Sequence, residues 1–204
     1  MSEATYILQI IKDGVTIAAT TIAAVVAILG LKAWRAQLKG KTEYDLARRL
    51  LIAVYKIRNA IYTVRQPFKP AGEIYSALKD GGYEEKDILD ENRNVNIRNI
   101  DGRTVDKAVY VSRWKVVDEA NAAFEVEYME AEAMWGKEID DVLKDFIKCR
   151  TDLYIAIRLL IEIEKRDEEN MAIISGYQND DKDEFGKRLT AEVNNIENYL
   201  RQYL

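Results

Sequence analysis

Glu125, Glu127, Glu130 and Glu132 place four carboxylates within eight residues. Glu127 and Glu130 are three apart and share a helix face, as a pair of metal ligands would. The 204-residue chain contains no histidine, so an all-carboxylate site would favour Mg²⁺, Mn²⁺ or Ca²⁺. The same absence removes Ser-His-Asp triads, Cys-His dyads, His-ligated zinc and haem, and Glu-x-x-His di-iron sites. Acid clusters are ordinary on the solvated face of a long helix, and that is the expectation here, with no metal and no cofactor. The run NDDKDE from Asn179 to Glu184 lacks the glycine and the terminal glutamate of a calcium loop at their places. Asp180, Asp181 and Asp183 suit instead the positive end of a following helix. Cys149, the single cysteine, falls in an apolar helical seam, where a thiol is packing material rather than a nucleophile. The glycines are scattered and form no phosphate-binding loop. No catalytic residue is assigned, and the chain is expected to be non-enzymatic.

The elements that carry these residues begin with an apolar segment. Gly14 to Leu31 reads GVTIAATTIAAVVAILGL, eighteen positions without a charge. Extended to Trp34, it gives a helix of about 31 Å, roughly one hydrocarbon core. Its leader is not a basic signal-peptide region, and the run exceeds the usual apolar core of such a peptide. A buried core helix is the other alternative, since Ala and Thr make the run only moderately apolar. Trp34 suits the headgroup level, and Lys32, Arg35, Lys39 and Lys41 follow against Lys12 alone on the other side. This bias predicts a single span in the cell (inner) membrane, N-terminus outside and the rest cytoplasmic. Ala19, Ala23 and Ala27 repeat at every fourth residue, a spacing that lets spans pack closely.

Residues 1–39 are thus read as leader and anchor, and 40–204 as a cytoplasmic helical domain. Lys39-Gly40-Lys41 is expected to interrupt or bend the helix, with Thr42 capping the next one. Leu46, Leu50, Ala53 or Val54, Ile57, Ile61 and Val64 then recur at helical spacing. Arg48, Arg49, Lys56, Arg58 and Arg65 are assigned to the opposite, basic face. Residues 32–66 hold nine Lys/Arg against Glu43 and Asp45, whereas 67–204 hold 20 Lys/Arg against 31 Asp/Glu. A basic collar therefore precedes an acidic body. The run GKTEYDLARRLLIAVYKIRNAIYTVRQPF resembles the juxtamembrane part of a group of uncharacterised bacterial single-pass membrane proteins with a helical cytoplasmic domain. The resemblance covers some thirty residues. It implies the same architecture and, as that group has no assigned activity, no site residues.

Pro67 and Pro70 stop the helix. Residues 66–104 form an irregular insertion with a short helix over Glu73–Lys79, packed through Ile88, Leu89, Val95, Ile97 and Ile100. From Thr104, Tyr110, Trp114, Val117, Asn121, Phe124, Tyr128, Ala131 and Trp135 step by four and three. Val105, Val109, Ser112, Val116, Ala120 and Ala123 make a second stripe, so this helix should have neighbours on two sides. The aromatic stripe is read as core rather than as a ligand cleft. A third stripe runs through Ile139, Val142, Phe146, Cys149, Leu153, Ala156, Leu160 and Ile163, one residue out of phase with the first. Either a hairpin or a kinked continuous helix explains the slip at Trp135-Gly136. Carboxylates crowding a helix C-terminus oppose the dipole, which favours continuity. Residues 166–181 break the pattern, and a last helix from about Lys182 carries Phe185, Leu189, Val193, Ile196, Leu200 and Tyr203.

The expected fold is all-α: a transmembrane helix plus a bundle of three or four long, partly coiled-coil-like helices. The expected function is a membrane-anchored module that binds a protein partner or itself. Lys32, Trp34, Arg35, Lys39, Lys41, Arg48, Arg49, Lys56 and Arg58 would meet anionic headgroups or a partner. Ala19, Ala23 and Ala27 would pack spans in a homo-oligomer. Pairing of the basic face with the acidic body is the alternative to lipid, and nucleic acid is disfavoured by the overall acidity. A membrane-acting effector of defence or toxin type, whose spans cluster to perturb the bilayer, is the rival reading.

Overall fold

The computed structural model describes residues 3–98, 100–176 and 181–204; of the side chains before Thr20, only those at positions 12, 14 and 16 are described. Seven helices and no strands occur among these residues: α1 (Glu3–Arg65), α2 (Ala71–Asp80), α3 (Glu85–Ile88), α4 (Gly102–Trp135), α5 (Lys137–Ile163), α6 (Glu168–Ile174) and α7 (Glu184–Leu200). Residues Met1–Asp45 form one compact unit and Leu46–Leu204 another.

The described residues of the first unit belong to α1. Ile22, Val25, Val26, Ile28, Leu29, Leu31 and Trp34 are each at least 47% exposed. They are spread around all sides of the helix, because successive residues turn by about 100°. The helix passes unbroken through Gly40, and the Thr42 hydroxyl donates to Leu38 O at 3.0 Å, so Thr42 is not a cap. The expected break at Lys39–Lys41 is absent because glycine in a helix interior costs only about 1 kcal/mol, which its helix-favouring neighbours can absorb.

The second unit is built on the remainder of α1. Leu46, Leu50, Ala53, Val54, Ile57, Ile61 and Val64 are all buried, as their spacing predicts. α1 runs antiparallel to α4: Arg49 reaches Glu127 and Glu130, whereas Arg113 of α4 reaches Val64 O. It also runs antiparallel to α7, where Tyr55 donates to Glu197 and the Tyr62 hydroxyl meets Thr190. α5 lies antiparallel to α4 and to α7, through Phe124–Phe146 and Trp114–Tyr154 on one side and Asp152–Arg188 on the other. Each long helix thus opposes the next around a shared core that includes Phe124, Phe146, Leu153 and Leu189.

The segment between α1 and α4 has its own small core. Ala77, Leu78 and Ile88 pack on Val105 and Val109, with Leu89, Val95, Ile97 and Ile100 at the margin. α2 is longer than expected, because Pro70 starts it and a Schellman turn stops it. Tyr83 N–H donates to Leu78 O at 3.1 Å and Gly82 N–H to Lys79 O at 3.0 Å, with Gly82 at φ 91°. α2 packs on the second stripe of α4 at Val105 and Val109, whereas Val116, farther along, is 47% exposed. α6 forms inside the segment expected to be irregular, started by Asp167, whose carboxylate accepts from Asn170 N–H.

The preferred reading of Trp135-Gly136 as a continuous helix is overturned: α4 and α5 form a hairpin. Gly136 has φ 66° and ψ −147°, a region open essentially to glycine alone. The carboxylates do not hold the helix open because the dipole effect is itself below about 1 kcal/mol, and Glu125, Glu127 and Glu130 are met by arginines from neighbouring helices. Arg150 reaches Glu125 at 3.8 Å, and Arg49 takes both Glu127 and Glu130. Tyr128 also donates to Asp140 across the hairpin at 2.9 Å. Burial and that hydrogen bond push its phenol up to about 12, so it stays a donor at any ordinary pH.

Gly136→Ala is expected to destabilise the chain by about 2 kcal/mol, the strain of holding an L side chain in that conformation. Gly72→Ala, at a helical glycine whose added methyl meets nothing within 4 Å, is expected to be neutral or stabilising by up to about 1 kcal/mol. Chemical unfolding followed by tryptophan fluorescence checks both.

Candidate functional site

The expected contact residues divide into two sets. Lys32, Trp34, Arg35, Lys39 and Lys41 are exposed on the first unit; Lys39 reaches Glu43 at 3.7 Å one turn on. Ala23 and Ala27 are exposed on the same helix, whereas the side chain of Ala19 lies outside the described residues.

On the second unit the basic face is less uniform than expected. Arg48 and Lys56 are exposed and make no ion pair among the described residues. Arg58 lies over the Tyr55 ring at 4.7 Å and donates to Asn59. Arg49 is held by α4: its Nε donates to Glu127 at 2.8 Å and its Nη2 to Glu130. Those hydrogen bonds raise the Arg49 guanidinium above its ordinary value. The pair singled out as possible metal ligands is therefore joined by a cation of the same chain. Asn179 and Asp180 lie outside the described residues; Asp181 is exposed and Asp183 caps α7. Cys149 is buried, and that burial raises its thiol pKa, as suits packing.

Arg65 belongs to neither set. It was expected on the exposed basic face, but it is completely buried. Nη1 and Nη2 donate to the two Asp183 oxygens at 2.6 and 2.7 Å, and Nε donates to Ile173 O at 2.7 Å. Nη2 also reaches Ala172 O and Ser175 O, and the guanidinium stands 4.4 Å from the centre of the Phe185 ring. One side chain at the end of α1 thus gathers the last carbonyls of α6 and the cap of α7. Arg113, also buried, does the converse from α4. It forks Glu73 at 2.6 and 2.8 Å and takes Val64 O in the last turn of α1 and Gln66 O and Phe68 O beyond it.

The sequence held a signal for both. Arg65 follows Ile61 by four, and Arg113 lies midway between Val109 and Val117, so each occupies an apolar phase of its helix. An arginine in that phase is buried only with a full set of acceptors.

An open cavity of about 710 Å³ lies between α5, α6 and α7, with Ile155, Leu159 and Phe185 on its walls. Arg188 in it donates to Asp152 at 2.7 Å and lies 5.3 Å from the Phe185 ring centre. Its charge is thus already answered within the fold.

Comparison with family models, curated proteins and solved structures finds no match to this chain. The reading of what it does therefore rests on its surfaces.

Burial would raise the Asp183 carboxyl. The hydrogen bonds from Arg65 and from Gly186 N–H, with the Arg65 charge, outweigh burial and hold it below the ordinary value. A depressed folded-state value means that this stabilisation is complete above the unfolded value near 4 and is lost as pH falls through the folded one. The thermal midpoint should therefore be insensitive to this group above about pH 5 and fall below about pH 4. Asp183→Ala, which leaves Arg65 buried without its partner, is expected to cost about 3–5 kcal/mol at neutral pH and to flatten that acid decline. Unfolding of the variant and the parent across pH 3–7 checks the sign.

Proposed function

We propose that this chain is a single-span membrane protein whose helical domain is a non-enzymatic binding module at the cytoplasmic face. The observation that carries the reading is the apolar part of α1. Among the described residues one helix is long and apolar enough to cross a membrane, and none of its most apolar eighteen-residue window is buried. An amphipathic helix waiting for a partner is apolar on one side. Ile22, Val25, Val26, Ile28, Leu29 and Leu31 are exposed all round, a pattern that suits lipid.

Lys32, Arg35, Lys39 and Lys41 then meet the cytoplasmic headgroups, each worth on the order of 1 kcal/mol beside an anionic leaflet. Trp34 lies at the interface. The four long helices of the second unit form a bundle whose steps of three and four make coiled-coil-like seams. Arg48 and Lys56 share their surface with carboxylates of α4, which favours a protein partner there over an anionic membrane.

The full chain is expected to stay in the membrane fraction after carbonate washing. Val25→Lys with Ile28→Lys should release it, since each lysine at a span centre costs about 2.5–3.5 kcal/mol of insertion. Parent protein in the soluble fraction would refute the anchor. Alkaline phosphatase fused after Leu204 should be inactive, and moving the positive charges of 32–41 into the leader should raise its activity.

A further inference from the structure

The outer groove between α1 and α4 is open, floored by Ala60 and Ala120. Lys56 stands on its α1 wall, and Ile52 and Arg48 extend that row by one and two turns beyond the groove, all exposed. Glu119 stands on its α4 wall, and Val126 and Glu130 extend that row in the same direction, likewise exposed. One wall is therefore basic and the other acidic, each with an apolar residue in its middle. We propose that this face binds a second copy of the same chain, about a two-fold axis parallel to α1 and α4.

The geometry follows from the register of the two helices. Arg49 bridges to Glu127 and Glu130, so the α1 position at 49 is level with the α4 positions 127–130. Both helices rise about 1.5 Å per residue in opposite directions. Ile52 is then level with Val126, Arg48 with Glu130, and Lys56 lies within reach of Glu119. A two-fold axis along the groove carries the α1 wall of one copy onto the α4 wall of the other without changing height. It sets Ile52 against Val126, Arg48 against Glu130 and Lys56 against Glu119, each twice.

This is the self-complementarity that an isologous interface requires. Apolar residues fall at its centre and opposite charges at its rim. The partner is a second copy because the face matches itself; an anionic lipid surface would be opposed by Glu119 and Glu130. Among the described residues Arg48, Lys56 and Glu119 make no ion pair, so their charges are free to be met across the axis, whereas Glu130, held by Arg49, would be shared with the Arg48 of the other copy. The inference deepens the binding-module reading and does not depend on the anchor.

The test uses the full chain in detergent, with oligomer mass read by light scattering after size exclusion. The parent is expected to dimerise. Lys56→Glu sets like charges against Glu119 of the other copy twice, and Glu119→Lys does the same against Lys56. Each should weaken self-association by about tenfold or more. Mixing the two variants restores both attractive contacts, so a heterodimer should form, with tagged Lys56→Glu chain recovering untagged Glu119→Lys chain in equal amounts. No effect within one molecule gives that rescue. A monomeric parent, indifference to both reversals, or weakening without recovery on mixing would each overturn the interface. Both exposed substitutions should leave helicity and membrane retention unchanged, so loss of the dimer is read apart from loss of the anchor.

Discussion

A single buried guanidinium decides how the second unit closes. Arg65 brings a full positive charge to a place with no water, and such a charge is tolerated only with complete hydrogen bonding and an opposite charge at hand. Asp183 supplies the charge and the carbonyls of α6 supply the rest. The arrangement of α6 and α7 against α1 follows, because neither helix terminus can move without stripping the guanidinium of acceptors. Arg113 works on the same helix end from the other side, taking carbonyls that a helix terminus leaves without partners. Gly176 shows how tightly the site is filled: a Cβ there would stand 2.5 Å from Asp183 Oδ2 and 2.7 Å from Arg65 Nη2.

Much of this was legible in the sequence where one period persists. The stripes Leu46–Val64, Tyr110–Trp135 and Phe185–Leu200 are buried or half-buried as their spacing requires. What failed were decisions at boundaries, where several small energies compete. Gly40 read as a break and is helical; Gly136 read as a pause within a helix and is the corner of a hairpin. Nothing local separates the two glycines. The difference lies in α4 and α5 folding back on each other, which no window of sequence contains. Arg65 and Arg113 were misplaced or overlooked for a related reason. Arginine was assigned to the surface by type, although its phase pointed inward, and its acceptors come from chain more than a hundred residues away in the case of Arg65.

The acidic character of the body also changes meaning in three dimensions. The glutamates of α4 look like a solvated face in the sequence, yet Glu125, Glu127 and Glu130 each meet an arginine of a neighbouring helix. These pairs are partly exposed, so their individual contributions are modest. They set which helix lies beside α4 and at what height, which is a matter of register more than of stability.

Order of synthesis gives the Arg65–Asp183 pair another consequence. The two residues are 118 apart in the chain. At about 5–20 residues per second, some 6–24 s pass on the ribosome between the appearance of the arginine and that of its partner. Throughout that interval α1 carries its apolar stripe and an uncompensated cation, while the preceding segment of the same helix has already emerged. The nascent chain can thus commit its apolar N-terminal segment long before its core can close. A C-terminal truncation before residue 183 would leave the ribosome-released chain permanently in that open state, a natural substrate for chaperones and quality-control proteases.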